Sequence, residues 1–107
     1  MVSIDTIEKK LDELFIFFNS ASVSSALSSV DRESAAYGLA KVELIKEILR
    51  RYRHKPENVF LKRIHGAFFS VTRGVEGFND EETNRLFNEK CKGIYEIIKQ
   101  LEQNIKW

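Results

Sequence analysis

Apolar residues recur in alternating steps of three and four along four separate stretches of this 107-residue chain, and the alternation in twos that marks a half-buried strand is absent. A step of 3.6 places such residues on one side of an α-helix, so each stretch predicts an amphipathic helix with one face to bury. Ile4, Ile7, Leu11, Leu14 and Phe18 predict a first helix over about 5–19, with Asp5 to Glu8 offering a capping box. Gly38, Val42, Ile45, Ile48, Leu49 and Tyr52 predict a second over about 31–54, and Phe60, Ile64, Ala67, Phe68 and Val71 a third over about 56–73. Leu86, Phe87, Ile94, Ile97, Ile98, Leu101 and Ile105 predict a fourth over about 80–105. Short connections between such helices make neighbours antiparallel, so the expected fold is an all-α, antiparallel four-helix bundle, with residues 1–107 as one domain.

Local signals sharpen this outline. Pro56 followed by Glu57 suits the first turn of a helix, where no backbone donor is needed and an acid is favoured. Asn79 with Glu82 three residues on reads as a capping box for helix 4, with Phe78 as its staple. Gly38, in the middle of a core face, is expected to be a packing notch for a neighbouring backbone, and Gly74 and Gly77 to release the chain from helix 3. Ile16 and Phe17 lie off the first stripe, which suggests that this helix end is covered on more than one side. Residues 19–34 are serine-rich, and Val23, Leu27 and Val30 keep a helical step. This segment is open between a long connection and a fifth short helix within 19–30.

Charge is uneven although the net value is only +1: residues 50–65 carry 6 basic and 1 acidic side chains. The basic entry to helix 3 reads either as a solvated helix end or as a partner-facing patch of Arg50, Arg51, Arg53, Lys55, Lys62 and Arg63. Phe69 projects away from the helix 3 core with Lys62, His65 and Arg73 around it, the composition of a docking anchor ringed by steering charges. Trp107 also falls off its core face and is a second candidate anchor.

No residue set here points to catalysis, a cofactor or a metal. His65-Gly66 on a bundle helix is similar to a phosphotransfer site, but Phe68 and Phe69 stand where such a site has a lysine and a glycine. The lone Cys91 reads as a small core residue and has no zinc-type Cys/His cluster about it. The longest apolar run, Leu14 to Phe18, is far short of the ~20 residues that span a bilayer. The early acids Asp5 and Glu8 do not suit a secretory signal, so a soluble cytoplasmic chain is expected.

The stretch Pro56 to Leu86 resembles the second half of immunity proteins against pediocin-like (class IIa) bacteriocins. The resemblance rests on Pro56, Arg63, Phe78, Asn79, Glu81, Glu82 and Leu86, with Leu11, Leu14 and Phe15 matching the family's first helix. It implies a non-enzymatic four-helix bundle at the inner face of the cell membrane. The implied partner is the mannose phosphotransferase permease with bound bacteriocin, recognised through the helix 3 to helix 4 hairpin and the last turn. A second class stays open from the basic turn alone: a small regulatory or anti-defence adaptor that meets nucleic acid or an acidic protein surface.

Overall fold

The computed structural model describes residues 4–52 and 57–103; expectations for Arg53, His54, Lys55, Pro56, Ile105 and Trp107, and for the side chains of Ile4, Tyr52, Glu57 and Phe60, lie outside this set. Its elements are α1 (Ile4–Ser22), α2 (Ser29–Tyr52), α3 (Glu57–Val75) and α4 (Glu81–Gln103). α1 and α3 each pack on both α2 and α4, which closes an all-α ring in which α2 and α4 are diagonal neighbours. Among the described residues the expected stripes supply most of the core, with Leu86 left half-buried outside it. Ile7, Leu11, Leu14 and Phe18 of α1 are at most 1% exposed, and they meet Val42, Ile45, Ile64, Phe68, Ile94 and Ile98 from the other three helices.

The serine-rich segment resolves into three parts and no fifth helix. α1 continues to Ser22, residues 23–28 form a turn, and α2 begins at Ser29 because Ser28 caps it, its Oγ accepting the Asp31 N–H at 3.2 Å. Arg32 then reaches back and donates to the Leu27 carbonyl at 2.5 Å. Of the apolar residues expected to keep a helical face here, only Leu27 packs on the core; Val23 and Val30 stand in solvent. Within the described residues α1 begins at Ile4, one residue ahead of the expected start, which puts Asp5 in its first turn, where an acid suits the dipole.

Asp31 is the one buried charged residue among those described, 2% exposed. Its Oδ1 accepts the Asn79 N–H at 2.8 Å and its Oδ2 the Asp80 N–H at 3.0 Å, so a side chain in the first turn of α2 caps the start of α4. This corrects the expected cap. Asn79 contributes its backbone to Asp31, and the side chain that caps α4 is Asp80, whose Oδ2 accepts the Thr83 N–H at 3.0 Å and the Thr83 hydroxyl at 2.7 Å. Those two bonds, the hydroxyl first, hold the Asp80 carboxyl below the usual aspartate range.

Just before this cap the chain buries Phe78, which joins Phe17, Phe18 and Phe87 in a four-ring cluster; Phe78 meets Phe87 edge-on at 5.5 Å and Phe17 edge-on at 6.0 Å. Gly38 is a notch as expected, but for a ring and not for a backbone: a Cβ there would lie 2.6 Å from Phe18 Cζ. Ile16 is 65% exposed, so the end of α1 is covered on the Phe17 side only. Gly74 does not release the chain. It lies inside α3, where the Tyr37 ring of α2 occupies the space that a side chain would take. The turn comes at Glu76 and Gly77, at φ 61 and 147; a Cβ on Gly77 would crowd Asn84 Oδ1, which accepts the Phe78 N–H at 2.9 Å.

Two stability outcomes follow from these contacts. Asp31→Ala removes two charge-assisted bonds and leaves two amides at a helix start without a protein acceptor, so urea unfolding should show a loss of about 2–4 kcal/mol. Gly38→Ala should cost about 1–3 kcal/mol by overpacking against Phe18, and combining it with Phe18→Leu should give less than the sum of the two single losses.

Candidate functional site

From Asn58 to Val75 the chain contains no acidic residue. Leu61, Ile64, Phe68 and Val71 occupy the buried face of α3, which forces the remaining positions outward: Lys62, Arg63, Gly66, Phe69 and Arg73 are all exposed, along with Val59. Phe69 keeps 48% of its surface in solvent, and the serine-rich connection does not cover it. The Arg73 guanidinium lies 5.5 Å from its ring centroid, a cation–π contact that holds the exposed ring against the helix. Beside the ring is a shallow groove of about 410 Å³ between α3 and α4, lined by Lys62, His65, Gly66, Phe69 and Glu102. Gly66 is its open floor, because a Cβ there would meet nothing within 4 Å.

The inner wall of the groove is polar and fixed. His65 Nδ1 lies 2.7 Å from Glu102 Oε1, and since a carboxylate only accepts, the ring presents Nδ1–H to it. The Tyr95 ring is held edge-on by Phe68 at 4.8 Å and by His65 at 5.9 Å, and its hydroxyl lies 3.2 Å from the Thr72 hydroxyl. Glu102, Tyr95 and Thr72 give the sequence no separate signal, since each matters only through a contact across the helix pair.

Sequence-predicted binding residues therefore divide. Lys62, Arg63, His65, Phe69 and Arg73 share one helix and one side of the bundle. Arg50 and Arg51 are at the end of α2, and both donate to the Glu47 carboxylate, Arg51 Nε at 3.1 Å. Glu47 is held below the usual carboxylate range by Arg51 first and Arg50 second, so these two arginines are partly satisfied on their own helix. Arg53, Lys55 and Trp107 lie outside the described residues. A larger depression, about 490 Å³, lies between α1, the serine-rich turn and the start of α4, but Glu13, Asp80 and Lys90 give it charges of both signs and no single preference.

Cys91 is 6% exposed, and burial pushes its thiol up to about 12. Among the described residues, no group of three or more His, Cys, Asp or Glu is placed to hold a metal ion, and no helix is long and apolar enough to cross a membrane. No family model matches the chain, and neither the curated proteins nor the solved structures contain a significant match to it.

The site makes two checks possible. At pH 8 the buried Cys91 stays protonated, so alkylation of the native protein should be slow and should become fast once denaturant opens the fold; rapid native labelling would place the thiol at the surface. Gly66→Ala adds a methyl to open space on a helix and should raise stability by about 0.5–1 kcal/mol in chemical unfolding.

Proposed function

We propose that this chain is a non-enzymatic immunity protein of the class IIa bacteriocin type, working from the cytoplasmic face of the membrane. In this reading, the outward face of α3 and the adjoining α3–α4 groove dock on the mannose phosphotransferase permease when a bacteriocin engages it. The observation that carries the reading is the outer face of α3 within the acid-free run from Asn58 to Val75, where Phe69 stands half exposed over a groove with Lys62, Arg63 and Arg73 on the same helix. An exposed aromatic supplies buried area to a partner, and surrounding cations supply steering and orientation. The resemblance of Pro56 to Leu86 to the immunity family falls on the same hairpin.

The test is expression in a bacteriocin-sensitive strain followed by challenge with a panel of class IIa bacteriocins. Protection against one or a few is expected, with Phe69→Ala weakening partner binding by more than ~1 kcal/mol, as hot-spot aromatics do. Gly66→Gln is the more selective probe, because it fills the groove from a position that touches nothing and should weaken protection without lowering stability. Absence of protection across the panel, despite good expression of folded protein, would overturn the reading. Salt-sensitive nucleic-acid binding by the same protein would put the adaptor reading in its place.

A further inference from the structure

The outer face of α2 carries a second pattern that the docking surface does not use. Opposite the buried stripe of Ala35, Val42, Ile45 and Leu49 lies a line of exposed or half-exposed residues: Glu33, Tyr37, Ala40, Leu44, Glu47 and Arg51. Their spacing is four, three, four, three, four, which is the seam of a two-stranded coiled coil running for most of the 24-residue helix. Leu44 is 55% exposed and Tyr37 43% exposed, both large for a solvent face, while Ala36 and Ala40 beside them leave room for another helix to come close.

We propose that this face binds a second copy of the chain, α2 against α2, in an antiparallel two-fold pair. The argument is self-complementarity. Reversing the seam about its midpoint exchanges Glu33 with Arg51, Tyr37 with Glu47, and Ala40 with Leu44. Across the two-fold, the Leu44 side chain of each copy therefore lies over the small Ala40 of the other. Each Arg51 meets the other copy's Glu33, while each Tyr37 ring stays against Gly74 of its own α3 and flanks the seam. A parallel pair would instead set Glu33 on Glu33, Glu47 on Glu47 and Arg51 on Arg51, which like-charge repulsion disfavours. A two-fold pair makes every such contact twice, and that doubling is what lets a short seam associate. Lys41 and Glu43 face their own copies on opposite rims of the seam, where solvent and salt screen them. Arg51 gives up Glu47, its partner within one helix in the single chain, at little cost, because both are exposed.

Sedimentation equilibrium from low micromolar to millimolar protein tests this directly. The wild-type mass should rise from 12.4 kDa toward twice that value with concentration. Glu33→Arg and Arg51→Glu should each weaken association about tenfold or more, and Leu44→Glu should abolish it, all three keeping the wild-type circular dichroism melt because they alter exposed positions. The decisive arm mixes the two charge variants in equal amounts: one then supplies arginine at both seam ends and the other glutamate at both, so the mixture should associate again. A wild-type chain that stays monomeric throughout, association that the three substitutions leave unchanged, or a mixture that fails to recover would each overturn the proposal. None of these outcomes bears on the α3 docking face, which is read by bacteriocin challenge.

Discussion

The carboxylate of Asp31 carries more of this architecture than any other single group. A ring of four helices leaves its two diagonal pairs, α1 with α3 and α2 with α4, without direct packing, and Asp31 joins the second of them by a polar link. Burying a carboxylate is unfavourable unless each oxygen finds a donor, and here each finds one at the start of α4. The group also lies near the positive ends of two helix dipoles at once, its own and that of α4, which favours a carboxylate there. Fixing Asn79 and Asp80 in turn fixes Phe78 immediately before them. Phe78 then packs into the aromatic cluster beside the Phe18 ring that fills the Gly38 notch.

This explains which parts of the fold were legible in the chain and which were not. The stripes Ile7, Leu11, Leu14, Phe18 and Phe87, Ile94, Ile98, Leu101 could be read because burial repeats at the helical period and needs no knowledge of the partner helix. Asp31 looked only like a helix start, since its acceptor role concerns amides 48 and 49 residues away and leaves no local mark. Ser28 with Asp31 three residues on was a visible capping signature, and it would have placed the start of α2 correctly. Asn79 reads as the α4 cap in the chain because its residue type suits the position, while the Asp31 carboxylate that engages its amide, leaving Asp80 as the cap, lies 48 residues away. Gly74 looked like a stop because the Tyr37 ring that needs its missing side chain belongs to another helix.

The candidate site was half legible on similar grounds. Phe69 could be found as an aromatic outside the buried stripe, and Lys62, Arg63 and Arg73 shared its helix, so the α3 face emerged from periodicity alone. What closes the groove, the His65 to Glu102 contact and the Tyr95 ring, depends on the register of α3 against α4, which no short-range pattern specifies. The basic run before α3 suggested a single patch, yet Glu47, one turn earlier on α2, engages both Arg50 and Arg51.

The contacts that stabilise the bundle and the proposed docking face therefore lie in different parts of it. At the end where α1, α3 and the starts of α2 and α4 meet, a buried carboxylate, a notch and four aromatic rings leave little freedom to change a residue without loss of fold. Along α3, the same helix turns Ile64 and Phe68 inward and Gly66 and Phe69 outward, so one side chain spacing sets the core and the exposed face independently. An exposed Phe69 contributes nothing to the core that would retain it there, and an exposed mid-helix glycine costs stability that an alanine would recover. Both choices run against the physics of folding at neighbouring positions of one helix. Departures of that kind are expected where a surface is shaped for a partner.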